Sequence, residues 1–147
     1  MFKKILEKEV LMALGCTEPI AVSLCAAAAY NIIGGNIKSV ICKANSNIIK
    51  NATSVYIPKT NGLFGMKAAV ASGIISNEPN LKMELLKNLD EKKANHIREL
   101  LEKNIIEIIP YNTEKSLYIN IVVETDNGIG EAAIEHEHSN ISLVRKL

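Results

Sequence analysis

Chemistry in this sequence concentrates at Gly15-Cys16-Thr17-Glu18-Pro19, which runs into an apolar, alanine-rich stretch ending at Gly34 and Gly35. Threonine is a favoured N-cap, glutamate and proline suit a first helical turn, and glycine ends helices. The pattern therefore predicts a helix starting at Thr17, with Cys16 just before its N-terminus. There the helix dipole and the unpaired amides stabilise a thiolate, which at neutral pH serves as a nucleophile or a base. A tight turn in which a cysteine merely precedes a cap would leave the same five residues, and both readings stand.

Three further groups of residues are candidates. No acidic residue lies between Glu18 and Glu78, while Lys38, Lys43, Lys50, Lys59 and Lys67 fall in that interval. If they line a cleft, the cleft favours an anion such as a carboxylate; otherwise they are solvated lysines. His136 and His138 share one face of a predicted strand at i and i+2, a conceivable metal half-site, yet no cysteine, aspartate or third histidine is close in sequence. A non-metal role is the expectation for this pair, and His96, on a charged helix, reads as a surface residue. The Gly62–Gly65 turn lacks the spacing of a phosphate loop, so no nucleotide site is expected.

The elements that must position these residues follow from periodicity. Phe2, Ile5, Leu6, Val10, Ala13 and Leu14 form one helical stripe over residues 2–14. The uncharged run from Pro19 to Ile37 is formally long enough to span a membrane. It is alanine-rich and ends among asparagines and glycines, so it reads as a helix buried on all sides in a protein core. Residues 37–44 read as a strand, 45–51 as a polar loop and Thr53–Ile57 as a second short strand. Met66–Ile75 reads as a short helix. Asn77-Glu78-Pro79 opens another through Leu89, and Asp90 caps a third to about Lys103, with Ala94, Ile97 and Leu101 on its apolar side. Ile105–Ile109 looks like a buried strand, and Leu117, Ile119, Ile121 and Val123 alternate along the next one. Asp126-Asn127-Gly128 signals a hairpin, whose return strand puts Glu131, Glu135 and Glu137 on one face and Ala132, Ile134, His136 and His138 on the other.

The fold class expected is α+β: a buried alanine-rich helix, with further helices packed on a small mixed or antiparallel sheet that ends in a β-hairpin. No repeat or linker is visible, so residues 1–147 read as a single domain, long enough to bury its own core. A net charge of +1 and six aromatic residues, none of them tryptophan, give no reason to expect nucleic acid or membrane as partner. The charge is uneven, +4 over residues 1–80 and −3 over 81–147. Cysteines at 16, 25 and 42, an odd number without a CxxC pair, and the lack of a cationic leader predict free thiols and a cytoplasmic setting. Cys25 and Cys42, in the buried helix and a strand, read as small hydrophobes.

The GCTEP turn entering an alanine-rich helix resembles the N-terminal signature of the L-cysteine desulfidase family, related to the α chain of iron–sulfur L-serine dehydratases. Asn47-Ile48-Ile49-Lys50-Asn51, Gly62-Leu63-Phe64-Gly65 before Ala68 and Ala69, and His138-Ser139-Asn140-Ile141 fall in the family's order and approximate spacing. The resemblance covers nearly all of this chain and only the N-terminal portion of the family's length.

That resemblance implies a lyase that takes sulfide from L-cysteine, or water from L-serine, leaving an aminoacrylate that hydrolyses to pyruvate and ammonia. It implies an oxygen-sensitive [4Fe–4S] cluster, whose ligands in the family lie outside the matched portion, and it assigns the base to Cys16. The substrate-binding candidates are Thr17 and Glu18 in the turn and Asn47, Lys50 and Asn51 in the loop, the last three by residue type and position. The chain is then the base-bearing part of a split or truncated enzyme, working with a cluster-bearing partner chain or as a homo-oligomer. An inactive small-ligand-binding or assembly domain derived from the family is the alternative.

Overall fold

The computed structural model describes residues 17–53, 56–57, 60, 62–115, 117–135 and 141–147, with the side chains of all but Thr17, Glu18, Pro19 and Met83. The expected helix over residues 2–14, Cys16, and His136 and His138 lie outside the described residues. Within them the fold is α+β, with five strands in one mixed sheet ordered β2-β1-β3-β4-β5.

Helix α1 (Thr17–Asn31) is the centre of the core, as its composition predicts. Ala21, Val22, Ser23, Leu24, Cys25, Ala26, Ala27 and Ala29 are all fully buried, so the helix has no solvent face for a charge to occupy. It ends where Gly34, at φ +62°, turns back to donate its N–H to the Tyr30 carbonyl at 2.8 Å. Strand β1 (Ile37–Ala44) then starts, burying Val40, Cys42 and Ala44 on alternate positions.

Residues 45–51, expected to be a loop, are instead mostly helical: α2 covers Ser46–Ala52 and buries Ile48 and Ala52. Burial at i and i+4 overrides the poor helix propensity of the asparagines around them. Among the described residues of the strand expected at Thr53–Ile57, Tyr56 bridges to Phe64. Helix α3 (Gly65–Ser76) follows, ending at Asn77 in the left-handed region at φ +51°. Because Asn77 caps α3, it does not open the helix expected through Leu89. A 3₁₀ segment, Pro79–Glu84, broken at Lys82, takes its place. The kink seats Leu85, fully buried, whose carbonyl accepts from the Ser76 hydroxyl at 2.5 Å. Helix α4 (Glu91–Glu102) is capped as expected, the Asp90 carboxylate accepting from the Lys93 N–H at 2.8 Å, and buries Ala94, Ile97 and Leu100.

Strand β2 (Ile106–Pro110) pairs parallel with β1 and lies at the sheet edge, so only Ile106 is buried where a buried strand was expected. Strands β3 (Tyr118–Thr125) and β4 (Gly128–Glu135) form the expected hairpin. It does not end the sheet, because β5 (Ile141–Lys146) adds antiparallel to β4. Val40, Cys42, Ile119, Ile121, Val123, Ala132 and Ile134 point to the helix side. The opposite face carries Lys43, Asn120, Glu124, Glu131 and Arg145. Glu131 is 9% exposed: Arg145 Nε donates to its carboxylate at 2.6 Å and Asn120 Nδ2 at 2.9 Å.

Two close approaches lock α1 in place. A Cβ on Gly73 of α3 would stand 1.9 Å from the Ser23 carbonyl oxygen, and one on Gly130 of β4 would stand 2.1 Å from that of Ala29. In neither case is a flexible side chain the obstacle. Gly73→Ala is therefore expected to cost about 3 kcal/mol through forced separation of α1 and α3. Gly34→Ala, which meets no atom within 4 Å and has only the left-handed backbone to strain, should cost about 1 kcal/mol. Urea midpoints for the two variants check both the size and the order.

Candidate functional site

Helices α1 and α3 run parallel, and two contacts fix their register. The Ser23 hydroxyl donates to the Ala69 carbonyl at 2.6 Å, and the Asn31 amide donates to Asn77 Oδ1 at 3.0 Å. Both pairs are 46 residues apart, so α1 and α3 are in step along their length. Pro19 is therefore level with Gly65, and the starts of the two helices lie at the same end of the molecule.

The sheet gives a second measure of the same end. Ala29 meets Gly130, and the Cys25 thiol lies 3.2 Å from the Ala132 carbonyl. Four residues back along α1 thus match two forward along β4, since both steps are about 6 Å. Continued, that progression brings the start of α1 to the Glu135 end of β4. Glu135 pairs with Tyr118, and Ile134 pairs with Ile141, which fixes where both flanks of residues 136–140 lie.

Helix α2 completes this end. The Thr53 carbonyl after it lies 3.6 Å from where a Cβ of Gly65 would be. Asn45 before it is buried and spends its side chain on β3's approach: Nδ2 donates to the Lys115 carbonyl at 2.8 Å and Oδ1 accepts the Tyr118 N–H. The Thr17-Glu18-Pro19 start of α1, the Asn47–Asn51 segment, the Gly62–Gly65 turn on its described residues and the flanks of 136–140 thus share one end. Ile33–Gly35 and the Asp126-Asn127 turn occupy the other, held together by Thr125 Oγ1 donating to the Gly34 carbonyl at 2.7 Å.

The individual predicted site residues fare unevenly. Asn47, Lys50 and Asn51 are exposed on α2, at this end, rather than in a loop. Thr17 and Glu18 open α1, their side chains outside the description, and Cys16 directly precedes them in sequence. The lysines do not line one cleft: Lys38 lies at the far end of β1, Lys43 on the helix-free sheet face, and Lys67 beside β2, while Lys59 is outside the described residues. His96 is exposed, as expected. Lys115, Tyr118 and Glu135 also belong to this end and carried no sequence signal. Lys115 Nζ pairs with Glu135 at 2.6 Å and sits 5.6 Å from the Tyr118 ring, which in turn packs on Tyr111.

Chemically, the end brings together two helix starts, where partial positive charge favours an anion. Phe64, the residue at the cap position of α3, supplies no side-chain capping bond. The described thiols lie elsewhere in character. Burial pushes Cys25 well above the usual thiol range, with a further rise from neighbouring Cys42, and burial alone pushes Cys42 up to about 12. Both are free and neither can act as a thiolate at neutral pH. Among the described residues no three histidine, cysteine or acidic side chains come together to hold a metal, and no helix is long and apolar enough to cross a membrane.

No family model matches the chain, and no solved structure matches it. It is similar to curated proteins named UPF0597: 38% identical over 144 residues to one from Clostridium perfringens, covering 98% of this chain and 34% of that protein. One from Treponema denticola is 36% identical over 145 residues (99% and 34%), and one from Finegoldia magna 35% identical over 146 residues (99% and 35%). The chain spans about a third of the length of these relatives.

The contrast between thiols is directly measurable. In native protein at pH 7, Cys25 and Cys42 are expected to resist a disulfide reagent until the chain is unfolded. A thiol that reacts fast should be Cys16, and Cys16→Ser should remove that phase while leaving the two slow ones.

Proposed function

We propose that this chain is the base-bearing part of a β-elimination lyase of the L-cysteine desulfidase or L-serine dehydratase type. The observation that carries the reading is the gathering, at one end of the fold, of four stretches spread from Thr17 to Ile141. Residues that serve one substrate must share one end, and these stretches meet that requirement.

In the proposed reaction the substrate carboxylate faces the paired starts of α1 and α3, with Lys50 supplying a charge and Asn47 and Asn51 supplying hydrogen bonds. A Cys16 thiolate takes the α-proton, the bond from the β-carbon to sulfur or oxygen breaks, and sulfide or water leaves. The aminoacrylate then takes up water and yields pyruvate and ammonia. Such a base is worth about a hundredfold to ten-thousandfold in rate.

The [4Fe–4S] cluster implied by the resemblance does not fit the described cysteines. Cys25 and Cys42 are closed into the core, and their protonated thiols are unsuited to ligate iron. A cluster would be held by a partner bearing the part of the relatives' length that this chain does not match.

The test is reconstitution without oxygen. This chain is mixed with the unmatched portion of the Clostridium perfringens relative, reconstituted with iron and sulfide, and given L-cysteine or L-serine. Sulfide or pyruvate should form, Cys16→Ala should lower the rate at least about a hundredfold, and Cys25→Ala should retain it. Absence of product from both substrates overturns the lyase reading. A rise in melting temperature of the isolated chain with the same amino acids, and no turnover in the mixture, would instead mark a ligand-binding domain.

A further inference from the structure

The outer edge of β2 is free among the described residues, and its hydrogen-bonding pattern is legible. The Val40 N–H donates to the Ile105 carbonyl at 3.0 Å, and the Tyr111 N–H to the Ala44 carbonyl at 2.8 Å. In a parallel ladder this register spends the backbone groups of residues 105, 107, 109 and 111 on β1. The N–H and C=O groups of Ile106 and Ile108 therefore point outward. They open into a groove of about 480 Å³ lined by Lys67, Asn104, Ile105, Ile106, Glu107 and Ile108. Beyond Ile108 the edge stops at Pro110, which has no N–H to give.

The two sides of this groove carry opposite charge. Ile106 and Ile108 share the helix side of the sheet with Lys67 of α3, and Glu107 is exposed on the other side. A strand added here alternates in the same way. A residue opposite Glu107 is directed to the acidic side, and its neighbour toward Lys67.

We propose that this edge takes up an extended peptide segment as a sixth strand, one carrying a basic residue opposite Glu107 and an acidic residue next to it, facing Lys67. A second copy of this chain suits the edge poorly. Pairing two β2 strands antiparallel about a two-fold axis, with Ile106 and Ile108 exchanging bonds, sets Glu107 against Glu107, and like charges directly opposite are unfavourable. Strand β5, the other edge, is guarded by Arg145 and Lys146, as edges commonly are. β2 has no lysine of its own.

The experiment is an NMR titration of the whole chain with the peptide acetyl-Thr-Val-Lys-Glu-Val-Thr-amide, read by amide hydrogen exchange. Exchange at Ile106 and Ile108 should slow on binding, while Glu107 and Ile109, already bonded to β1, should not change. Glu107→Lys, an exposed substitution that leaves the core intact, should weaken binding about tenfold, as should Lys67→Glu. A peptide with proline in place of both its lysine and its glutamate should not bind, since one of the two supplies an N–H to the edge whichever way the strand runs. Lack of protection at Ile106 and Ile108 with millimolar peptide overturns the proposal, as does binding indifferent to both charge reversals. Protection that appears without peptide and grows with protein concentration also overturns it, in favour of a second copy.

Discussion

The contact on which the rest of this fold depends is that of Ser23 in α1 with Ala69 and Gly73 in α3. Small side chains let the two helices approach until the Ser23 hydroxyl bonds a carbonyl of its neighbour and its own carbonyl rests where a Cβ of residue 73 would be. Such packing has almost no tolerance, because backbone faces backbone. It sets the helices in parallel register, and Gly130 fixes that pair against the sheet by the same means. The level at which the starts of α1 and α3 meet follows from this packing.

Building a core from small residues means burying hydroxyls, and each of those named here finds a backbone carbonyl. Ser72 donates back to the Ala68 carbonyl at 2.6 Å, Ser76 to Leu85, and Thr60 to the Ile57 carbonyl at 2.7 Å. Asn45 performs the same service between elements distant in sequence, joining β1, α2 and the approach to β3. On the far face of the sheet, Glu131 keeps its charge in a buried position. The Asn120 bond, followed by the Arg145 bond and charge, outweighs burial and holds its carboxyl below the usual range. A carboxyl lowered in this way contributes stability that is present above the ordinary carboxylate range and fades as pH falls through its folded value.

How much of this was legible in the sequence depends on whether the signal was local. α1 declares itself through the absence of charge from Pro19 to Ile37, α4 through Asp90 and its apolar spacing, and the β3–β4 hairpin through alternation plus Asp126-Asn127-Gly128. The segments misread are those settled by distant partners. Ile48 and Ala52 make α2 a helix because the core beside α1 needs them. Lys82 breaks the stretch after Asn77 so that Leu85 can meet Ser76. β5 lacks a clean alternation because Arg145 must reach Glu131. At the candidate site, the motif residues stood out in sequence, but Asn45, Lys115, Tyr118 and Glu135 are joined to them only by strand register, which a single sequence does not display. Of the two readings left open for the lysines from Lys38 to Lys67, a shared cleft is not the one found, because spacing in the chain says nothing about which end of a strand each residue occupies.

Parallel neighbouring helices carry an electrostatic cost, because like poles lie side by side at both ends. At the C-terminal ends the cost is met within the chain: Asn31 donates to Asn77, and Gly34 and Asn77 each donate an N–H to carbonyls of the last turns, Tyr30 and Gly73. At the N-terminal ends the balance differs, since Phe64 gives α3 no side-chain capping acceptor and Lys67, in the first turn of α3, adds to the positive potential rather than offsetting it. An arrangement stabilised solely by packing would gain from an aspartate or serine at position 64. A phenylalanine there brings no side-chain acceptor of its own, and in the proposed elimination a substrate carboxylate would be one.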